Sequence, residues 1–201
     1  LYLQNIGDVS SLEFGDTLYV DNRYLDQLWV MDTDGSNMRV LWDYGTANFE
    51  GVESFDVEDG MAISVDGVNL YLTAYEYDSE TDTDYPFIIN LNTATGDTSV
   101  LYGPSSANYQ TFNTGHLVLM PSLGQTGQLV LSNTSTNTIP TAFDFAEGTM
   151  TALDIAALND LTGGSVYTRI YHMSREADGV LRLVGNARPS NTYHFWSAQL
   201  D

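Results

Sequence analysis

The sequence predicts an all-β protein, and three observations support that prediction. Short runs in which apolar and polar residues alternate recur along the whole chain, and they are rich in Val, Leu, Tyr and Thr. Clusters of Gly, Asn and Asp separate these runs. Such segments are typical of antiparallel strands joined by tight turns. One segment differs, because residues 149–161 place Leu and Ala at helical spacing before two glycines and predict one short helical insertion.

The strand pattern also contains a repeat that is marked by glycine. An alternating strand follows a glycine four times along the chain, at Gly15, Gly67, Gly115 and Gly179. We interpret each glycine as the turn between the first and second strands of a four-stranded unit. The glycine and the middle of the fourth strand are equally far apart in the first and third units, and farther apart in the second.

The two ends of the chain complete one of these units. The fourth unit ends near residue 200 without a fourth strand, whereas the chain begins with an additional strand at 1–6. A blade that takes strands from both termini is the closure device of a β-propeller. The sequence therefore predicts one β-propeller domain of four blades, each of four antiparallel strands, closed by the N-terminal strand. The predicted blades are 7–44, 52–103, 108–145, and 165–201 together with 1–6. The alternative is a piece of a longer propeller.

Two segments resemble a known repeat family. The stretch LWVMDTDGSN at 28–37, which is followed by MRVLW, and the stretch ISVDGVNLYLTA at 63–74 are similar to TolB-like (WD40-like PD40) propeller repeats. In the second stretch Ser-Val-Asp-Gly replaces the usual Ser-Pro-Asp-Gly, and the other units keep only the glycine and the alternation. The resemblance implies a propeller and usually a binding role, but it implies no single activity.

The charge of the chain argues against several classes of function. There are 27 acidic and 6 basic residues, the net charge is −21, and lysine is absent. Nucleic acids and anionic membranes are not expected partners, because their phosphates would be repelled. No apolar run approaches the roughly 20 residues of a membrane span. The absence of cysteine excludes disulfides and thiolate metal sites. The composition favours an extracellular or cell-envelope location, including a halophilic or marine setting.

The acidic stretch Asp-Thr-Asp-Gly at 32–35 has two interpretations. A calcium loop would need Gly at its sixth position and Glu at its twelfth, but Gly35 stands at the fourth and Asp43 at the twelfth. Asp and Gly also tolerate the positive φ angles of a tight hairpin. The stretch therefore predicts the turn between the third and fourth strands of the first blade.

The predicted topology places the long connections on one side of the propeller. Short turns join the first strand to the second, and the third to the fourth, on the opposite side. The side with the long connections, which we call the loop-rich face, carries 45–60, 76–85, 103–109, 122–127, 146–164 and 186–192. Binding residues concentrate on long loops of rigid scaffolds, so this face is the predicted site of function.

Two of these connections are strongly acidic and predict a candidate calcium site. Crowded carboxylates need cations, and oxygen ligands suit calcium. The candidate metal ligands are Asp56, Asp59, Asp78, Glu80, Asp82 and Asp84. Two alternatives stay open: a solvated acidic surface, or a carboxylate pair of the kind that glycoside hydrolases use.

Aromatic residues near the same connections predict a binding surface. Exposed tyrosines suit stacking on sugars and contacts with proteins. The candidate ligand-binding residues are Tyr44, Phe49, Tyr75, Tyr77, Tyr85, Tyr109 and Arg188. No catalytic residue is nominated, because the sequence contains no nucleophile or phosphate-binding motif, and its three histidines are scattered.

The predicted function is a binding or scaffolding module for a protein or a glycan, with calcium as a candidate stabilising ion. The first alternative is a structural subunit of a cell-surface or filamentous assembly, which would self-associate through strand edges such as 38–43 or 1–6. The second alternative is a carboxylate-dependent glycoside hydrolase or lyase. A binder predicts exposed aromatic side chains around a shallow site. An enzyme predicts two carboxylates roughly 5–10 Å apart in a cleft.

Overall fold

Antiparallel strands account for all the regular secondary structure that the computed structural model describes. The described residues are 9–46, 56–112, 116–120, 128–132, 141–152, 168–175, 181–187 and 194–200. Within these ranges, no helix has the length and the hydropathy that crossing a membrane requires. The prediction of an all-β chain is confirmed.

The described strands form four sheets. The first sheet contains β1 (Val9–Phe14), β2 (Thr17–Asn22), β3 (Gln27–Asp32) and β4 (Arg39–Asp43). The second contains β5 (Asp56–Ile63), β6 (Asn69–Asp78), β7 (Thr83–Asn92) and β8 (Thr98–Tyr102). The third contains β9 (His116–Met120), β10 (Gln128–Ser132), β11 (Thr141–Asp144) and β12 (Thr149–Ala152). The fourth contains β13 (Thr168–Arg175), β14 (Leu181–Ala187) and β15 (His194–Leu200).

Every sheet is an antiparallel meander, in which strands that are consecutive in sequence lie side by side. The chain divides into two compact units, residues 1–106 and 107–201, each with two of the sheets. In the first unit β1 contacts β5, and in the second unit β9 contacts β13. The first strands of successive sheets are therefore neighbours within each unit, as they are around the axis of a propeller.

The predicted helix at 149–161 is wrong at its start, because Thr149–Ala152 is strand β12, paired with β11. A strong turn precedes it: the Asp144 carboxylate accepts hydrogen bonds from the backbone N–H groups of Ala146 and Glu147, and Gly148 has a φ of 62°. This turn reverses the chain and directs it back along β11, which overrides the local helical spacing. Residues 153–161 lie outside the described ranges.

The third sheet also differs from the prediction in its order. His116–Met120 was expected as the second strand of a blade at 108–145, but it is the first of four strands that end at Ala152. Matching the repeat units by their sequences is misleading here, and a similar cross-strand pair in two sheets shows why. Gln27 donates to Asp43, and Gln128 donates to Asp144, both at 3.2 Å. The first pair joins the third and fourth strands of its sheet, but the second joins the second and third strands.

The fourth sheet has three described strands, as the prediction of a strand supplied by the N-terminus requires. The N-terminal segment 1–6, however, lies outside the described residues. Closure of the propeller by this strand, and a count of four blades, therefore stay predictions.

The core of the first unit lies between the facing surfaces of its two sheets. Alternation along each strand points every second side chain into this layer, as the register pair of Tyr19 with Val30 illustrates. Burying each large apolar side chain contributes about 1.5–3 kcal/mol relative to leaving it exposed. The buried cluster contains Tyr19, Leu28, Val30, Leu41, Trp42, Tyr44, Val57, Met61, Leu70, Leu72, Ala74, Phe87, Ile89 and Leu91.

The same turn chemistry recurs in the first and second sheets. The Thr33 N–H donates to the Asp16 carbonyl, and the Thr93 N–H donates to the Val68 carbonyl, each at 2.9 Å. These bonds link the turn between the third and fourth strands to the turn between the first and second. The short turns therefore share one end of each sheet, as the repeat predicts.

The acidic stretch at 32–35 is a turn in the structure. Asp32 Oδ2 accepts hydrogen bonds from Ser36 Oγ at 3.0 Å and from Asn37 Nδ2 at 2.6 Å. Asp34 Oδ1 accepts from the Ser36 N–H at 2.8 Å, and Gly35 has a φ of 84°. Both carboxylates are used to close the hairpin.

Gly96 lies at a point of close approach between the two sheets of the first unit. It lies in the turn after β7 with a φ of 78°, and a Cβ atom at this position would clash with the backbone oxygen of Leu41 in β4. Leu41 is the bulged residue of that strand. Glycine is required here for two reasons. The positive φ angle disfavours other residues, and the Leu41 carbonyl oxygen leaves no room for a Cβ atom.

We expect Gly96→Ala to destabilise the protein more than Gly15→Ala. Both glycines have positive φ angles, but a Cβ atom at Gly15 would meet no atom within 4 Å. Gly15→Ala should cost about 1–2 kcal/mol for the left-handed conformation. Gly96→Ala should cost about 1–3 kcal/mol more, because it also overpacks. Urea denaturation measures both values, and equal losses would contradict the close approach at Leu41.

The carboxylates of the turn aspartates determine how the stability of the fold changes at low pH. Hydrogen bonds from Ser36, from Ser64 and from the Glu147 N–H lower the pKa of Asp34, Asp66 and Asp144, respectively. A carboxylate whose pKa is lower in the folded state stabilises that state above its unfolded pKa of about 3.9. This stabilisation is lost as the pH falls through the folded pKa.

We therefore expect the melting temperature to pass through a maximum in mildly acidic solution. Lowering the pH from 7 first relieves the repulsion of a chain with net charge −21. Below about pH 4 these carboxylates bind protons more readily in the unfolded chain than in the folded protein, so stability should fall. Calorimetry between pH 7 and pH 3 measures this profile. A melting temperature that rises steadily down to pH 3 would show that the turn hydrogen bonds do not contribute.

Candidate functional site

A pocket of about 110 Å³ opens in the first unit, where ends of the first and second sheets meet. It lies beside the β2–β3 turn, the residue after β4 and the start of β5. Of these segments, only the start of β5 falls within a connection, 45–60, that the sequence analysis listed on the loop-rich face. The pocket is lined by Arg23, Asp26, Tyr44, Asp56, Val57 and Tyr75.

A buried carboxylate lies behind this pocket. Asp21 in β2 is 0% exposed, and its Oδ1 atom accepts a hydrogen bond of 2.8 Å from the Tyr44 hydroxyl. Its Oδ2 atom lies 3.6 Å from Nε of Arg23. Removing a carboxylate from water is costly unless donors and an opposite charge compensate for it. Asp21 therefore holds two pocket-lining side chains, Tyr44 and Arg23, in place.

Tyr44 is kept in its neutral form by this arrangement. Burial is the main cause that raises the pKa of its hydroxyl, followed by the negative charge of Asp21 and the hydrogen bond to it. Ionisation would bring a second negative charge next to a buried carboxylate. Tyr44 is thus a fixed hydrogen-bond donor and an aromatic wall, and it is unsuited to act as a base.

Backbone hydrogen bonds fix the β2–β3 turn against the segment after β4. The Asp26 carbonyl accepts hydrogen bonds from the N–H of Tyr44 at 2.9 Å and from the N–H of Gly45 at 3.2 Å. Asp26 itself has a φ of 52°, a left-handed conformation that Asp tolerates better than most residues. A Cβ atom at Gly45 would lie 2.9 Å from Cβ of Asp26, so glycine permits this contact.

The β2–β3 turn, which supplies Arg23 and Asp26 to the pocket lining and which we call the rim, carries two exposed apolar side chains. Tyr24 is 85% exposed and Leu25 is 49% exposed, and both lie in the β2–β3 turn between Arg23 and Asp26. An exposed aromatic residue beside a shallow site is the feature expected if the protein is a binding module. Single exposed apolar residues are common, but two beside a pocket of charged residues are a typical composition for a contact surface.

The structure brings together two of the predicted ligand-binding residues, Tyr44 and Tyr75. Tyr77 and Tyr85 lie instead in the β6–β7 hairpin, where Tyr77 donates a hydrogen bond of 2.9 Å to Asp82. Tyr109 belongs to the second unit. The remaining two predicted residues, Phe49 and Arg188, lie outside the described ranges.

The connection expected at 76–85 is a strand hairpin with a turn at 79–82. Asp78 Oδ1 accepts from the Glu80 N–H at 2.8 Å, and its Oδ2 accepts from Thr81 Oγ1 at 2.7 Å. The Thr81 hydroxyl bond is the main cause that lowers the pKa of Asp78. This carboxylate closes the turn, in the same way as those at 32–35.

The hairpin does not gather its carboxylates on one face. Asp78 is paired with Thr83, and the next residue along the strand, Asp84, is paired with Tyr77, so the two acids lie on opposite faces. Among the described residues, no group of three acidic or histidine side chains could hold a metal ion. Asp56 lines the pocket, and the side chain of Asp59 lies outside the description. A calcium site that involves Asp59 stays a prediction.

Sequence reasoning did not find Asp21, Arg23 or Asp26. Asp21 has the position of an ordinary polar residue at the end of a strand, and nothing in its neighbours along the chain indicates that it is buried. One signal was available for Arg23, because it is one of only 6 basic residues among 27 acidic ones. A rare charge beside two acids indicates a specific ion pair more strongly than a common charge would.

We expect Tyr44→Phe to lower the free energy of unfolding by about 1–3 kcal/mol, because it removes a donor from a buried carboxylate. Tyr77→Phe is a matched control, since it removes a similar hydrogen bond at an exposed carboxylate and should change stability by less than about 0.5 kcal/mol. Urea denaturation of the two variants tests this difference. Similar losses in both variants would contradict the role assigned to Asp21.

No protein-family profile matches the sequence, and no curated protein shows significant similarity to it. Several solved structures are similar in fold, among them two from different kinds of protein. An oligogalacturonate lyase in complex with manganese has 12% sequence identity and a TM-score of 0.56, and the match covers 94% of this chain and 50% of that one. A chain from the crystal structure of a nidogen/laminin complex has 16% identity and a TM-score of 0.53, and the match covers 98% of this chain and 64% of that one.

Both solved structures contain β-propellers. At these identities the likeness shows the fold alone, and it does not single out the TolB-like repeat family. This chain spans between half and two thirds of the length of the two chains that it matches. The antiparallel four-stranded sheets, the adjacent first strands and the two structural matches together support a β-propeller fold.

Proposed function

We propose that this β-propeller chain is a binding module and that the pocket between its first two sheets is the ligand site. The observation that supports the proposal is the convergence of Arg23, two carboxylates and two tyrosines on one open pocket. The ligand class is a protein or a glycan, as aromatic and charged groups at one shallow site suit both.

Preorganisation is a further argument for binding. Asp21 fixes Tyr44 and Arg23 from behind, and the Asp26 carbonyl ties the turn to the segment after β4. A ligand that binds in such a pocket loses translational and rotational entropy. The binding free energy does not also have to cover the ordering of the side chains that form the pocket wall, because these are already fixed. The volume of about 110 Å³ suits one small group, such as the end of a side chain or part of a sugar ring, rather than a long chain.

The wider setting of this module is part of the proposal. We propose a closed propeller of four blades, completed by the segment 1–6, of the TolB-like type and located outside the cytoplasm or in the cell envelope. The three described strands of the fourth sheet and the acidic, lysine-free composition support these points. The longer chains of the structural matches favour the alternative, a piece of a larger propeller.

The two other candidate functions have different support. Asp26 and Asp56 both line the pocket, so a carboxylate-dependent hydrolase or lyase is the second candidate. Assembly through strand edges has less support at β4, because Gly96 of the next sheet lies against the Leu41 backbone oxygen. That contact covers part of the β4 edge with which a strand of another chain would have to pair.

We expect a chemically diverse set of small probes to identify the pocket as the ligand site. The set contains neutral monosaccharides and the cationic, neutral and anionic N-acetyl amino-acid methylamides, each at millimolar concentration. Amide chemical-shift changes at Arg23, Asp26, Tyr44 and Tyr75 are the readout. Tyr75→Ala should abolish these changes, because it removes an aromatic wall. Tyr77→Ala, at an exposed tyrosine outside the pocket, should preserve them.

Two results would contradict the proposed function. One is that no probe of any class shifts the pocket amides of the folded protein. The other is that Tyr75→Ala and Tyr77→Ala reduce the shifts equally, since that would place binding outside the pocket.

A further inference from the structure

The chemistry of the pocket lining favours one class of ligand, and this inference rests on the proposed function. We propose that the pocket binds the cationic group of a lysine or arginine side chain on a partner protein. The argument uses the balance of charge in the pocket, its aromatic walls and the apolar residues on its rim.

The charge balance of the pocket is negative. Arg23 is the one cationic side chain among the described lining residues, and Asp21 lies 3.6 Å from it and compensates its charge from the buried side. Asp26 and Asp56 are both exposed, and neither side chain accepts a hydrogen bond from the described part of the chain. Two carboxylates are therefore available to an incoming group. Both carboxylates would attract a cation, whereas an anion would be repelled.

Tyrosine walls are suited to the same ligand. Tyr75, which is half-buried, and Tyr44, which is held in its neutral form, both line the pocket. The face of a tyrosine ring attracts ammonium and guanidinium groups, and this attraction increases when the cation is partly desolvated. The buried Val57 adds an apolar surface against which the aliphatic stem of a long side chain would pack.

The apolar residues of the rim favour a cationic group that is part of a protein over a free amine. Tyr24 and Leu25 are exposed beside the pocket and provide apolar contacts that a free amine would not use. Protein interfaces commonly place aromatic residues around a central anchor that is inserted into a pocket. A net charge of −21 also accelerates association with basic surfaces at low ionic strength.

The test compares probes that differ in charge but little in shape. N-acetyl-lysine methylamide and N-acetyl-arginine methylamide are titrated against N-acetyl-norleucine methylamide, with galactose as a neutral sugar, at matched ionic strength. We expect the cationic probes to bind with a Kd on the order of millimolar and the norleucine probe to bind at least about fivefold more weakly. Amide shifts at the pocket residues give each Kd.

Charge variants separate the pocket from the general field of an acidic protein. Asp26→Asn and Asp56→Asn should each weaken the cationic probes roughly threefold. Asp16→Asn makes the same change in charge in the β1–β2 turn, at the opposite end of the sheet, and should leave the Kd unchanged. Melting temperatures of all three variants show that the protein is folded.

The alternative outcomes are distinct. Equal weakening by Asp16→Asn and Asp26→Asn would overturn the inference, because binding would then be due to the overall charge. Binding of galactose at the pocket without binding of the cationic probes would also overturn it, and would leave the proposed function intact with a glycan as ligand. If no probe shifts the pocket amides, the proposed function itself fails.

Discussion

The site depends on one buried carboxylate, that of Asp21. It is fully enclosed, it accepts the Tyr44 hydroxyl, and it lies beside the Arg23 guanidinium. A charge in such a place is stable only while its partners stay in position, so it couples β2, the β2–β3 turn and the residue after β4. The wall of the pocket is thus a consequence of how the first sheet satisfies one buried charge.

Unlike the buried Asp21, the more exposed aspartates of the described residues have two distinct roles. Exposed aspartates close hairpins by accepting backbone N–H and hydroxyl groups, as Asp34, Asp66 and Asp78 do. Asp26 and Asp56 instead face the pocket, and their carboxylates accept no hydrogen bond from the described residues. The difference decides which acids are available to a ligand. High acidity alone therefore does not locate a site, whereas the hydrogen bonds of each carboxylate do.

The strands and the short turns could be predicted from the sequence because both follow from local rules. Alternation identifies a half-buried strand, and Asp-Gly identifies a turn, as at 32–35. The segment 149–152 was mistaken for a helix because the turn before it, set by Asp144, was not recognised. The pocket could not be predicted, since the contact of Asp21 with Tyr44 joins residues that are distant in the chain. Only the tertiary register brings them together.

The raised pKa of Tyr44 has a spectroscopic consequence. An ionised tyrosine absorbs as a phenolate, and the chain has 13 tyrosines. Tyr44 cannot ionise readily while its hydroxyl is held against a buried negative charge. Its phenolate should form only when the first sheet opens, so its contribution to an alkaline titration should be late and cooperative. That contribution would report the opening of the ligand site without any label.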